Sequence, residues 1–147
     1  MSVTLQQVRD ADNLDLGTSE WFVVEQQLIN KFSELTTDDQ WIHVDVERAA
    51  KGPFGATIAH GYLTVSLISQ FLDELLVIDD RSLTVNYGID RLRFTGPVRA
   101  GSRIRMHMTV VRSRVKGDAV VAALGLLLEV EGQEAPALVG TVLFQFS

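Results

Sequence analysis

Between Gly52 and Leu72 the chain runs for 21 residues without an Asp, Glu, Lys or Arg. A stretch of that length raises a membrane span. Pro53, three glycines, His60, two serines and Gln70 interrupt it, so it reads instead as buried structure in a globular chain. From Gly61 to Leu76, Leu63, Leu67, Ile68, Phe71, Leu72, Leu75 and Leu76 recur at intervals of three and four, the spacing of a helix. Tyr62, Ser66, Ser69 and Gln70 leave its other faces only weakly polar, and its sole charges, Asp73 and Glu74, stand at the far end. A helix without a charged face is buried on most sides, so the rest of the chain must wrap it.

The carboxy-terminal half supplies that wrapping. After Ser82 the period changes to two: Leu83, Val85, Tyr87 and Ile89 alternate, and Leu92 and Phe94 continue with the opposite parity. That slip across Asp90-Arg91 predicts a β-bulge. Thr95 to Gly101 is a turn. Ile104, Met106, Met108 and Val110 alternate with Arg103, Arg105, His107 and Thr109, a half-exposed strand. Lys116-Gly-Asp118 signals a hairpin. Ala119 to Leu128 is apolar on both parities and therefore central, Glu131 to Glu134 turns, and Leu138 to Phe146 is a last strand. Long strands joined by tight turns make an antiparallel sheet, and a sheet curved around one uncharged helix is an α+β architecture resembling the hot-dog fold.

The 147 residues suit one domain, 1–147. Thr4 to about Asp12 predicts a short helix ended by Asn13 to Gly17, and Ser19 to Val24 a short extended run. Glu25 to Leu35 is amphipathic through Leu28, Ile29, Phe32 and Leu35, and Asp45 caps a short helix that Gly52-Pro53 stops. The first residues lack the basic and apolar regions of a signal peptide, so a cytoplasmic protein is expected. The absence of cysteine removes disulfides, thiolate nucleophiles and thiolate metal sites. A net charge of −6 argues against broad binding to nucleic acid or to an anionic membrane.

Few residues remain for chemistry. His107 sits on the polar side of a strand near Arg103 and Arg105 and reads as a solvated surface histidine. Asp38 and His43 are five apart, about 140° round an ideal helix, so a helix would not converge them. A loop between two helices brings them together as a general acid/base pair able to hold a water. The plainer reading is an aspartate cap beside a loop histidine. Gly61 opens the uncharged helix, where its N–H meets a ligand without side-chain obstruction; it is equally a tight packing point. His60 reads as a loop or packing residue.

Thr37-Asp38-Asp39-Gln40-Trp41-Ile42-His43 resembles the Gly-Asp-x-Asn-Pro-x-His motif of MaoC-like dehydratases and (R)-specific enoyl-CoA hydratases. Gly52 to Gly61 is similar to the loop leading into that family's central helix. Asn86 to Val98, with Gly101-Ser-Arg103, looks like a later strand of its NodN-like branch. The resemblance covers roughly residues 20 to 147, with the motifs in the right order. It implies that Asp38 and His43 are the catalytic pair and that the Gly61 N–H binds the thioester oxygen. Thr37 stands where the family motif has Gly, and a Cβ there alters the turn that aims Asp38. Asp90 stands where the branch tends to carry Asn. Ser69 matches a family serine near the active-site aspartate; a helix serine is also often simply packed.

The implied reaction is reversible syn hydration of a trans-2-enoyl thioester to an (R)-3-hydroxyacyl thioester. The acyl chain would enter a slot lined by Phe54, Tyr62 and Phe94. No metal or redox cofactor is implied, and coenzyme A or acyl carrier protein would carry the substrate. Arg91, Arg93, Arg103 and Arg105 are candidates for the carrier's phosphates, against the plainer expectation of a solvated strand face. Two other functions share the fold: an acyl thioesterase, and a non-catalytic subunit that binds acyl thioesters. An open edge strand predicts pairing across a two-fold axis, a homodimer; the resemblance implies the same, with each site near the subunit interface.

Overall fold

The computed structural model describes residues 1–147. In chain order the elements are β1 (Ser2–Val3), α1 (Leu5–Arg9), β2 (Asp12–Thr18), β3 (Phe22–Val23), α2 (Gln26–Thr36), α3 (Trp41–Val44), α4 (Val46–Ala50), α5 (Gly61–Ser66), α6 (Ile68–Leu75), β4 (Val77–Ile78), β5 (Thr84–Phe94), β6 (Arg103–Lys116), β7 (Ala119–Val130) and β8 (Leu138–Phe146). Local chemistry fixes the short helices. Thr4 and Gln7 close a reciprocal capping box on α1, and the Asp45 carboxylate accepts the Arg48 N–H at 3.0 Å to start α4. Two expectations fail here. Asn13 to Gly17 does not merely end a helix: it lies in β2, which pairs antiparallel with β6. His43 lies on a single helical turn, α3, and not in a loop.

The main sheet runs β2-β6-β7-β8-β5, with β3 also paired to β6. The central strand is β7, as its two apolar faces require, and Val120 to Leu124 are all buried. The inward residues of β6 (Ile104, Met106, Met108 and Val110) are fully enclosed, whereas Arg103 and Arg105 on its outer side pair with Glu131 and Glu129 over the Trp21 ring. A small parallel pair, β1 with β4, ties the start of the chain to the segment after α6.

The helical region Gly61–Leu75 lies against the concave face, burying Leu63, Ile68, Phe71, Leu72 and Leu75. It is not one uninterrupted helix but two, broken at Leu67. It also keeps an exposed face along Tyr62, Ser66, Ser69, Gln70 and Asp73, contrary to the expectation of burial on most sides. Beside that face runs β5, an edge strand that leaves Val85, Tyr87 and Ile89 exposed. Its parity slips where expected, between Ile89 and Arg91, and a second time between Asn86 and Gly88.

The expected slip depends on a residue in the neighbouring strand. Gly140 pairs with Leu92 at φ +158°, and a Cβ there would stand 2.0 Å from the Arg91 carbonyl oxygen and 2.8 Å from the Leu92 Cα. Backbone cannot swing away as a side-chain tip can. Gly140→Ala should destabilise the fold by at least about 3 kcal/mol, lowering the melting temperature by roughly 6–12 °C in calorimetry. Gly88→Ala, which meets only the Leu143 side chain at 3.7 Å, is the comparison and should cost far less.

Candidate active site

The site is assembled where α2, α3 and the loop before α5 meet. After α2 ends, Thr37 turns the chain in the left-handed region (φ 59°, ψ 16°), a conformation that costs a β-branched residue roughly 1–2 kcal/mol and costs glycine little. The turn presents Asp38. Its carbonyl is held from two sides, accepting the Ser33 Oγ–H at 2.7 Å and the His60 Nε2–H at 2.8 Å. Its side chain is exposed.

His43 is 6% exposed and clamped. Its Nδ1–H donates to the Ile58 carbonyl at 2.7 Å, and the Ile58 N–H donates back to the Ile42 carbonyl at 2.9 Å. Gln26 donates to the His43 carbonyl at 2.8 Å and is itself held by the Thr57 hydroxyl. Because a carbonyl only accepts, the proton sits on Nδ1, and Nε2 is the nitrogen left to work. A carboxylate oxygen of Asp38 and ring nitrogens of His43 and His60 lie within 4.8 Å of one another. The structure thus brings Asp38 and His43 together, five residues apart, by a turn followed by one helical turn.

That trio contains the donor types of a metal centre, but its geometry does not suit one. The His43 and His60 rings are stacked, with centroids 3.8 Å apart and planes 22° from parallel. Their in-plane lone pairs therefore run side by side and do not meet at a single ion about 2 Å away.

Gly61, Phe54, Tyr62 and Phe94 line one cavity of about 410 Å³, together with Ile58 and Val98. A Cβ on Gly61 would stand 2.8 Å from the Phe94 ring, so a bare backbone is what lets the ring close over this point. Tyr62 meets Phe94 edge-on, centroids 6.2 Å apart. As the first residue of α5, Gly61 has an N–H with no acceptor inside the helix. Asp38 and His43 do not line this cavity; the segment from Ile58 to Gly61 connects the two places. Ser69 lies elsewhere, in a cavity of about 520 Å³ between α5–α6 and strands β5 and β8. Asp90 faces Arg112 at 3.4 Å, and His107 lies near Asp15 and Thr18 on the sheet surface. Gln26, Ser33, Thr57 and the hold of His60 on Asp38 carry no sequence pattern, because each acts across 5 to 31 residues of chain.

The antiparallel sheet wrapped on its helices, with an aspartate and a histidine gathered at one end, has the architecture of the hot-dog fold. The MaoC like domain family matches residues 10–131. The chain is 39% identical over 132 residues to 3-hydroxyacyl-thioester dehydratase Z of Mycobacterium tuberculosis, covering 89% of this chain and 87% of that one. It is 37% identical over 139 residues to Nodulation protein N of Rhizobium meliloti, covering 92% and 86%. The solved structure of the (R)-hydratase from A. caviae involved in PHA biosynthesis superimposes with a TM-score of 0.72 at 25% identity, covering 91% of this chain and 98% of that chain. This chain belongs to the MaoC-like dehydratases, a family of hydro-lyases. No helix in it is long and apolar enough to cross a membrane.

Thr37 gives the site its first test. Thr37→Gly relieves the left-handed strain and adds flexibility to the unfolded chain, so the two effects oppose. The variant should melt at or slightly above the native temperature. Thr37→Val should melt close to the native temperature in the same scan, since it keeps the β-branch and with it the left-handed strain.

Proposed function

We propose that this protein is an (R)-specific enoyl-thioester hydratase, equally a 3-hydroxyacyl-thioester dehydratase, in which Asp38 and His43 act on one shared water. The observation that carries this reading is the spacing of the pair. Two hydrogen bonds of 2.8 Å meeting at a tetrahedral angle span about 4.6 Å, and a carboxylate oxygen of Asp38 and one ring nitrogen of His43 lie within 4.8 Å. His43 offers Nε2 because Ile58 occupies Nδ1–H.

In hydration the water oxygen bonds to C3 of the enoyl group as a proton leaves it for the pair. The C–O bond uses a lone pair of the water oxygen, while the C2–C3 π electrons pass into the thioester as an enolate and then form the new C–H bond as C2 takes a proton back from the pair. Dehydration runs the same steps backward. Negative charge collects on the thioester oxygen between the two steps, and the Gly61 N–H is the donor we assign to it. The acyl chain occupies the cavity of Phe54, Tyr62 and Phe94, with the coenzyme A or carrier-protein thioester at its mouth. We further infer a homodimer, formed through the edge of β5, because that strand presents an unpaired edge and exposed Val85, Tyr87 and Ile89.

Following the loss of enoyl absorbance from crotonyl-CoA, with free thiol measured in parallel, tests the reaction. Hydration without thiol release is expected; thiol release would point to a thioesterase, and neither to a binding subunit. Asp38→Asn and His43→Gln should each lower turnover about 10²–10⁴-fold with little change in melting temperature. The double variant should be little worse than either, since both groups act on the same water. His107→Gln should be without effect. A destabilised but fully active Asp38→Asn protein would sink the mechanism.

The dimer has its own measurement. Light scattering at micromolar concentration should give twice the 16.3 kDa chain mass, and Ile89→Lys should reduce it toward one chain. A native protein of single-chain mass would overturn the pairing.

A further inference from the structure

His60 is 2% exposed, yet only one of its ring nitrogens has a partner. Nε2 lies 2.8 Å from the Asp38 carbonyl, so it carries the proton, and Nδ1 is a bare lone pair buried without a donor. Burying an unsatisfied nitrogen is costly, and a phenyl ring of similar shape would fill the same space without it. Packing alone does not account for a histidine here. Its ring contacts show what else it does: it is stacked on the His43 ring at 3.8 Å, and Phe32 packs against it at 5.0 Å, tilted by 56°.

We propose that His60 is a positioning residue that sets both members of the acid/base pair at once. Its Nε2–H fixes the peptide of Asp38 and so the direction of that side chain, while its ring face fixes the plane of His43, with Phe32 packed against the His60 ring. The proposal rests on the reading of Asp38 and His43 as the catalytic pair. Ser33 gives Asp38 its second donor, but from the α2 side only. Ser33 and Gln26 tie the two carbonyls of the pair to α2, whereas His60 reaches the carbonyl of one residue and the ring of the other. Loss of alignment by about 1 Å is enough to cost on the order of 10²-fold in rate.

Two substitutions separate the two contacts. His60→Phe keeps a stacked ring and loses the donor; His60→Gln keeps an N–H near the Nε2 position and loses the stack. Turnover of crotonyl-CoA should fall about 10–100-fold in His60→Phe, with KM within about twofold, and His60→Gln should recover part of that loss. In an Asp38→Asn background, His60→Phe should cost nothing further. A variant that melts lower but keeps native turnover per folded molecule would assign His60 to stability alone and overturn the proposal.

Histidine-selective ¹⁵N spectra of the native protein supply a readout independent of activity and of any variant's folding. They should show His60 protonated on Nε2 and His43 on Nδ1, and an Nδ1–H tautomer at His60 would overturn the proposal. The Asp39 amide resonance, which reports on the adjoining Asp38 carbonyl, should move in His60→Phe more than in His60→Gln. If native protein fails to hydrate crotonyl-CoA while these resonances behave as expected, the hydratase reading falls and the positioning contact stands. If the protein is an active hydratase and the Asp39 amide does not move, the positioning role falls by itself.

Discussion

The burial of α5 and α6 against the concave face of the sheet is the interaction on which everything else depends. Leu63, Ile68, Phe71, Leu72 and Leu75 meet a floor that includes Met106, Met108, Leu124, Leu126 and Val142. Each fully buried large side chain contributes roughly 1.5–3 kcal/mol from its removal from water, so this one contact outweighs any polar interaction in the molecule. It also dictates shape. A flat sheet would touch the helices along a line, whereas bulges in β2, β5 and β6 bend the strands around them.

The site is a by-product of how that packing begins. The chain must approach α5 through an uncharged loop, and the loop's own backbone groups need partners. Two contacts join this loop to the candidate pair: the Ile58 carbonyl accepts from the His43 ring, and the His60 side chain donates to the Asp38 carbonyl. Hydrogen bonds that satisfy backbone carbonyls thus also hold the candidate pair in place. Thr37 shows the other side of this arrangement, a left-handed β-branched residue tolerated where the turn cannot be made otherwise.

The outer surface obeys weaker rules. The Arg103–Glu131 and Arg105–Glu129 pairs on Trp21 are partly exposed, and pairs of this kind contribute at most about 1 kcal/mol each. They organise the solvent face of β6 and β7 without holding the fold. On β5, hydrogen bonds from Arg114 and then Lys116, at 3.3 Å each, keep the Tyr87 phenol below its ordinary value of 10.0. The cluster joins the edge strand β5 to the far end of β6, on the same outer face as the Arg103–Glu131 and Arg105–Glu129 pairs.

The sequence by itself determined the elements whose cause is local. Leucines at three and four specify α6, alternation specifies β6 and β8, apolar residues on both parities put β7 at the centre, and Asp45 starts α4. The parity slip at Asp90-Arg91 was legible as well, and so was the pairing of Asp38 with His43, through motif order more than spacing. Tertiary structure decided the rest. The strand Asp12–Thr18 buries only Leu16, so it has no amphipathic signature and exists because β6 offers an edge. The exposed face of α5–α6 was hidden in a sequence whose one charge on it, Asp73, stands near its end, because uncharged serines and Gln70 do not declare which side faces water. Ser69 and Phe94 both looked fit to line a site, and only the fold put them in different cavities. His60 showed no partner within its own segment; its partners lie 17 and 22 residues upstream at His43 and Asp38. Periodicity and capping act over a few residues and are written in order along the chain, whereas pairing, burial and the aim of a side chain depend on residues that meet only once the chain has folded.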